Sequence, residues 1–164
     1  MRMMTTALLL IIKLTVIQFA NSHHLNSNCD FYEKINIGQK TVISNPAWPS
    51  PYSPGGTCRW IFDCHTGYIC RLRCREIGLP ATPNCYMDKL LVSATGSSQL
   101  RDARVYCGQT NINVRSIETR LSIALITSRF SPGGRFRCTV RSEQWAHPWY
   151  RARCGPYCDQ SYVH

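Results

Sequence analysis

Acidic residues are scarce in this chain. Nine Asp+Glu stand against 19 Lys+Arg in 164 residues, a formal net charge of +10. Such a balance predisposes a protein toward acidic glycans, anionic membranes or acidic proteins, and it also keeps a small domain dispersed. No Asn-x-Ser/Thr sequon occurs, so N-glycans are not expected. No long stretch shows helical spacing of apolar residues, and there is no internal repeat or low-complexity tract. After residues 7–19 no long apolar run recurs, which leaves no candidate transmembrane anchor in the remainder. No Gly-Asp-Ser-Gly-like segment is present to supply an activated serine.

What is present is an apolar leader followed by 10 cysteines. Arg2 gives the leader a positive start, Ala7 to Phe19 is mostly apolar, and Ala20-Asn21-Ser22 places small residues before a cut at His23. Residues 1–22 therefore read as a secretory signal peptide, with 23–28 a short N-terminal segment. The alternative, an uncleaved anchor, wants about 20 continuous apolar residues, and Lys13 interrupts a shorter run. Secretion places an even number of cysteines in an oxidising compartment, where they read as disulfides.

Turn signals such as Ser53-Pro54-Gly55-Gly56, His65-Thr66-Gly67 and Ser131-Pro132-Gly133-Gly134 recur at short spacing. Between them lie runs of period-two alternation. Trp60, Phe62 and Cys64 alternate with Arg59, Ile61 and Asp63, and Cys70, Leu72 and Cys74 alternate with Arg71, Arg73 and Arg75. Leu121, Ile123 and Leu125 form a third apolar set, and Phe136, Cys138 and Val140 a fourth, set against Arg135, Arg137 and Arg141 with an offset at Thr139. Many short amphipathic strands with Gly/Pro turns predict an all-β sandwich. The alternation ends near Arg141, so 141–164 reads as an aromatic and basic tail stapled by a Cys154–Cys158 loop around Gly155-Pro156.

The ordered motifs resemble a known family, the CUB domain, across residues 29–140. Ile43-Ser44-Asn45-Pro46 with Trp48-Pro49-Ser50-Pro51-Tyr52 is similar to its "SPxYPxxY" segment, and Cys58-Arg59-Trp60-Ile61-Phe62 to its "CxWxI". Cys85-Tyr86-Met87-Asp88-Lys89-Leu90 resembles "CxxDxL", Tyr106-Cys107-Gly108 resembles "xxCG", and Leu121–Leu125 with Gly134-Arg135-Phe136 resemble the last two strands. The extra cysteines also resemble those of CUB modules at the front of insect secreted trypsin-like proteases, salivary and venom ones included. The resemblance implies a jelly-roll-like sandwich of about ten strands, the pairs Cys29–Cys58 and Cys85–Cys107, and a non-enzymatic binding module.

Four cysteines remain in the sandwich. Cys70 and Cys74 lie on one strand about 13 Å apart, beyond the ~7 Å reach of a disulfide. Cys64 and Cys70 flank a turn, which leaves Cys74 for Cys138, a choice the insect protease modules share. Cys64–Cys138 is the alternative.

Many CUB domains bind Ca²⁺ through three acidic residues. Those positions fall here near Leu79 or Pro80, at Asp88 and at Ser128, so Asp88 is a lone remnant and calcium is not expected. Asp88 is instead expected to cap a turn or to accept hydrogen bonds near Tyr32 or Lys89. No catalytic residue and no cofactor are expected. His65 reads as a solvated turn residue. Zinc ligation by Cys154 and Cys158 with His147 or His164 yields to the disulfide reading in a secreted chain, and His23-His24 reads as terminal. Arg71, Arg73, Arg75, Arg135 and Arg137 form the candidate surface for an anionic partner, since arginine pairs bidentately with sulfate, phosphate or carboxylate. Nucleic acid is not expected, because no stacking aromatics interleave with these arginines. The chain is expected to be extracellular, with a protein or acidic glycan as partner. It is expected to act as a binding component of insect venom, saliva or haemolymph. Modulation of a CUB-containing protease and membrane-active toxicity are the competing classes.

Overall fold

The computed structural model describes residues 29–144, and the compact unit that holds the sandwich begins at Phe31. Nine strands occupy the described residues: β1 (Asp30–Ile35), β2 (Lys40–Ser44), β3 (Thr57–Cys64), β4 (Tyr68–Gly78), β5 (Asp88–Ser93), β6 (Arg104–Tyr106), β7 (Ile112–Arg115), β8 (Arg120–Thr127) and β9 (Arg135–Gln144). They form a five-stranded sheet in the order β1-β3-β8-β5-β6 and a four-stranded sheet in the order β2-β9-β4-β7. The fold is an all-β sandwich, as the alternation predicts.

The apolar phase of each strand becomes the core. Trp60, Phe62 and Cys64 of β3 are buried, as are Leu121, Ile123 and Leu125 of β8 and Leu90 and Val92 of β5. From the other sheet come Cys70, Leu72 and Cys74 of β4 and Phe136, Cys138 and Val140 of β9. The two layers interlock where the Trp60 ring meets Phe136 edge to face, with centroids 5.6 Å apart. β8 is central in its sheet and is also buried on its second face, where the small Ser122 and Ala124 sit in register between Ile61 and Arg59 of β3 and Ser93 and Leu91 of β5.

Two local departures shape the four-stranded sheet. The alternation of β4 breaks at Arg75, where the register with β9 shifts between Cys74 and Glu76. A bulge places an extra residue on one strand, so Arg75 faces no partner. β9 also continues through Gln144, past the Arg141 boundary expected for the tail, because backbone pairing of Ser142, Glu143 and Gln144 with Cys70, Ile69 and Tyr68 needs no apolar side chain. The expected offset at Thr139 does not occur. Arg137, Thr139 and Arg141 hold one phase.

Candidate functional site

Asp88 opens β5 and is fully buried. Its carboxylate accepts hydrogen bonds from the Tyr52 hydroxyl at 2.8 Å, the Ser128 backbone N–H at 2.9 Å and the Ser131 hydroxyl. Its partners are therefore neither Tyr32 nor Lys89. Tyr32 instead donates to Asp63, which also pairs with Arg120 at 2.6 Å. Gly134 admits the Tyr52 hydroxyl, since a Cβ there would stand 2.7 Å from it. Burial, and then the hydrogen bond to Asp88, push the Tyr52 phenol well above the usual tyrosine range. Both carboxylate oxygens thus face held protons. With Leu79 buried and apolar and Ser128 at the third position, the residues present do not fit a calcium ion, which wants an anionic oxygen cage. Among the described residues no group of three His, Cys, Asp or Glu side chains comes together.

The outward face of the four-stranded sheet is cationic. Opposed residues of antiparallel strands project to the same side. Arg141 of β9 faces Lys40 of β2 and Arg71 of β4, and Arg71 faces Arg115 of β7. One row across all four strands is therefore Lys40, Arg141, Arg71, Arg115. The next row carries Val42, Thr139, Arg73 and Asn113, and the one beyond sets Arg137 between Ser44 and Glu76. The Arg137 guanidinium lies 5.9 Å from the Trp48 ring. Arg135 stands opposite Gly78, and Arg75 sits exposed in the bulge.

Among the described residues one carboxylate serves the cationic row. Arg71 Nη1 donates to both oxygens of Glu143, at 3.0 and 3.1 Å, and its Nε donates to Asn113 at 3.0 Å. Arg115 Nη2 reaches Glu143 at 3.3 Å, and Arg141 Nη2 stands 3.7 Å away. Arg71 is the most enclosed of the three, its side chain 12% exposed against 58% for Arg115. Burial pushes the Glu143 carboxyl up, but the hydrogen bonds from Arg71 and Arg115 outweigh it and leave it below the usual range. The Arg71 charge, with some burial and the Arg141 charge, lowers the neighbouring Arg73 guanidinium. Sequence reading placed Arg71, Arg73, Arg137 and Arg141 on outward strand faces but missed Lys40, Arg115 and Glu143. Their membership depends on cross-strand register, which alternation within one strand does not reveal.

Cys74 and Cys138 face each other directly across β4 and β9 and are disulfide-bonded, with Cα atoms 4.1 Å apart. Cys64–Cys70 closes the turn between β3 and β4, and Cys85–Cys107 links the short turn at Pro83–Cys85 to the end of β6. Cys29 and Cys58 are each disulfide-bonded. Cys154, Cys158, His147, His164, His23 and His24 lie outside the described residues. His65 is exposed in its turn, its Nδ1 2.9 Å from the Thr66 carbonyl, and its neighbour Asp63 is committed to Arg120 and Tyr32. No nucleophile–base–acid arrangement therefore forms at this turn.

Comparison with known proteins places this geometry. The CUB domain family model matches residues 16–139, starting inside the expected leader. Venom serine protease 34 of the honeybee, Apis mellifera, is 27% identical over 139 residues, which is 85% of this chain and 31% of that protein. Pig cubilin, from Sus scrofa, is 27% identical over 66% of this chain and 3% of its own length. The chain thus spans less than a third of the curated relatives it matches. Among solved structures, the extracellular region of zebrafish Gpr126/Adgrg6 aligns with a TM-score of 0.60 at 16% identity, over 72% of this chain and 15% of that one. The CUB1-EGF-CUB2 domains of human MASP-1/3 align with a TM-score of 0.55 at 17% identity, over 71% of this chain and 42% of that one. At these identities the structural likeness speaks for the fold, and the family match covers most of the chain. The chain belongs to the CUB domain family.

Proposed function

We propose that this chain is a secreted, non-enzymatic binding module that engages an acidic extracellular partner through the outer face of its four-stranded sheet. A CUB domain is itself a non-catalytic module, and no helix among the described residues is long and apolar enough to cross a membrane. The signal-like leader and the disulfides support an extracellular site of action. The likeness to a honeybee venom protease supports a place in insect venom or saliva. Calcium takes no part in this reading, because Asp88 is closed by its own hydrogen bonds. The single observation that carries the proposal is the in-register row Lys40–Arg141–Arg71–Arg115, served among the described residues by one carboxylate.

The test is retention of the full chain on immobilised heparin, with Arg73→Gln, Arg115→Gln and Arg137→Gln combined as the comparison. These side chains project outward, so the variant keeps the core. Loss of retention with an unchanged melting temperature is expected. Equal elution of the two proteins overturns the proposal.

The same venom protease likeness supports a second reading, in which the chain occupies the partner of a CUB-containing protease and so regulates it. Co-purification with such a protease from the producing gland at micromolar protein is expected on that reading, and its absence counts against it.

A further inference from the structure

Glu143 marks an anion subsite that the chain fills with its own carboxylate. A planar two-oxygen group is poorly matched to the three guanidiniums around it. Arg71 takes both oxygens, Arg115 shares one at 3.3 Å, and Arg141 is left at 3.7 Å. The buried Nε of Arg141 has no hydrogen-bond partner among the described residues. A tetrahedral oxyanion with three free oxygens offers one oxygen to each arginine, which a carboxylate cannot do.

The surroundings favour a linear ligand. Neighbouring strands lie about 4.8 Å apart, so the row from Lys40 to Arg115 extends about 14 Å across the sheet. Folded protein partners are held chiefly by Trp, Tyr and Arg anchors seated in desolvated pockets, and no aromatic side chain stands in this row or the next. In this row and the next the exposed large apolar residue is Val42, at the sheet edge, and the remainder is charged or polar.

We infer that the face binds a sulfated polysaccharide laid across the strands, with one sulfate replacing Glu143 against Arg71, Arg115 and Arg141. The inference rests on the reading of this face as the contact surface. Glu143 then acts as an internal competitor, and removing its charge strengthens binding.

The experiment measures the affinity of the full chain for heparin and for chemically desulfated heparin by calorimetry. Wild type, Glu143→Gln and Thr139→Glu are compared. Glu143→Gln is expected to bind heparin about three- to tenfold more tightly, because charge-assisted hydrogen bonds to the guanidiniums become available to the ligand. Thr139→Glu adds an anion in the adjacent row, keeps Glu143, and is expected to weaken binding about tenfold. Desulfated heparin is expected to bind at least about tenfold more weakly than heparin. If Glu143→Gln binds no more tightly while Thr139→Glu weakens, the face stands and the Glu143 subsite is overturned. If desulfated heparin binds as well as heparin, the sulfate assignment is overturned. If no form binds heparin, the inference fails together with the polyanion reading of the face. A Glu143→Gln protein that does not fold leaves the Thr139→Glu and desulfation arms to decide.

Discussion

Asp88→Ala tests the view that a buried hydrogen-bonded clasp organises the corner where β5 begins. Three donors converge on the carboxylate: Tyr52 Oη, Ser131 Oγ and the Ser128 N–H. Asp88 is fully buried and Tyr52 and Ser131 nearly so, so truncation to a methyl group strands all three. A buried donor left without a partner costs about 1–3 kcal/mol. A water entering the vacated space restores part of this, which brings the sum to about 3–5 kcal/mol. At about 4 °C per kcal/mol for a domain of this size, the melting temperature falls by about 12–20 °C. Asp88→Asn keeps an acceptor for Ser128 but turns an amide toward the two hydroxyls, and is expected to cost about 1–2 kcal/mol. Tyr52→Phe removes one donor and leaves the other two, for about 1 kcal/mol. Guanidinium titration with the disulfides intact measures all three. An Asp88→Ala midpoint within about 0.5 kcal/mol of wild type refutes the reasoning. A melting temperature that rises in millimolar Ca²⁺ refutes the corollary that this corner does not fit the ion, because a ligand of the folded state stabilises it.

Alkali should also act through this corner. The folded Tyr52 phenol titrates above its ordinary value of 10.0, so the unfolded chain loses its proton first and stability declines above that pH; Tyr52→Phe should flatten the decline in melts taken at successive pH values. Acid acts through Asp63, whose carboxyl is held below its ordinary 3.8 chiefly by the Arg120 hydrogen bond. That contribution is present above 3.8 and disappears as pH falls through the lower folded value. The Arg120 side chain is half exposed, so Asp63→Asn should remove no more than about 1 kcal/mol near neutral pH and lessen the acid sensitivity. Replacing Cys74 and Cys138 by alanine opens a separation of 64 residues and should cost about 4 kcal/mol, whereas Cys64 and Cys70, 6 apart, should cost about 2 kcal/mol. Denaturant midpoints in the opposite order would contradict the loop-entropy account. Phe136→Ala, which removes a fully buried ring from its T-shaped contact with Trp60, should cost about 3–5 kcal/mol by the same measurement.

The sandwich was legible because one-sided burial writes itself into sequence as alternation. Trp60, Phe62 and Cys64, or Phe136, Cys138 and Val140, announce an inner face without any knowledge of their neighbours. Arg75 was not legible as an exception, since a bulge is fixed by the partner strand. The clasp on Asp88 draws on Tyr52 and Ser131, 36 and 43 residues away, and no local pattern joins them. The cationic row was legible in part. Arg71 and Arg73 show their phase within β4, whereas Lys40 and Arg115 come from other strands and join the row only through register. Glu143 looked like the start of a tail because its strand continues by backbone pairing alone.

The covalent rung between β4 and β9 has a mechanical meaning. Cys74 and Cys138 lie on the inner side of the same two strands that carry Arg71, Arg73 and Arg141 on the outer side. Glu143 offsets part of the crowding by bridging Arg71 and Arg141, and the rung acts as a tie-rod against the repulsion that remains. At physiological ionic strength the repulsion reaches about 8 Å, enough to span neighbouring strands but not to be felt in concentrated salt. With the tie-rod cut, the sheet should become brittle in dilute buffer and recover in brine, or when a polyanion quiets the charged side. The cross-link thus holds the sheet together where Glu143 leaves part of the charge on its outer side unneutralised.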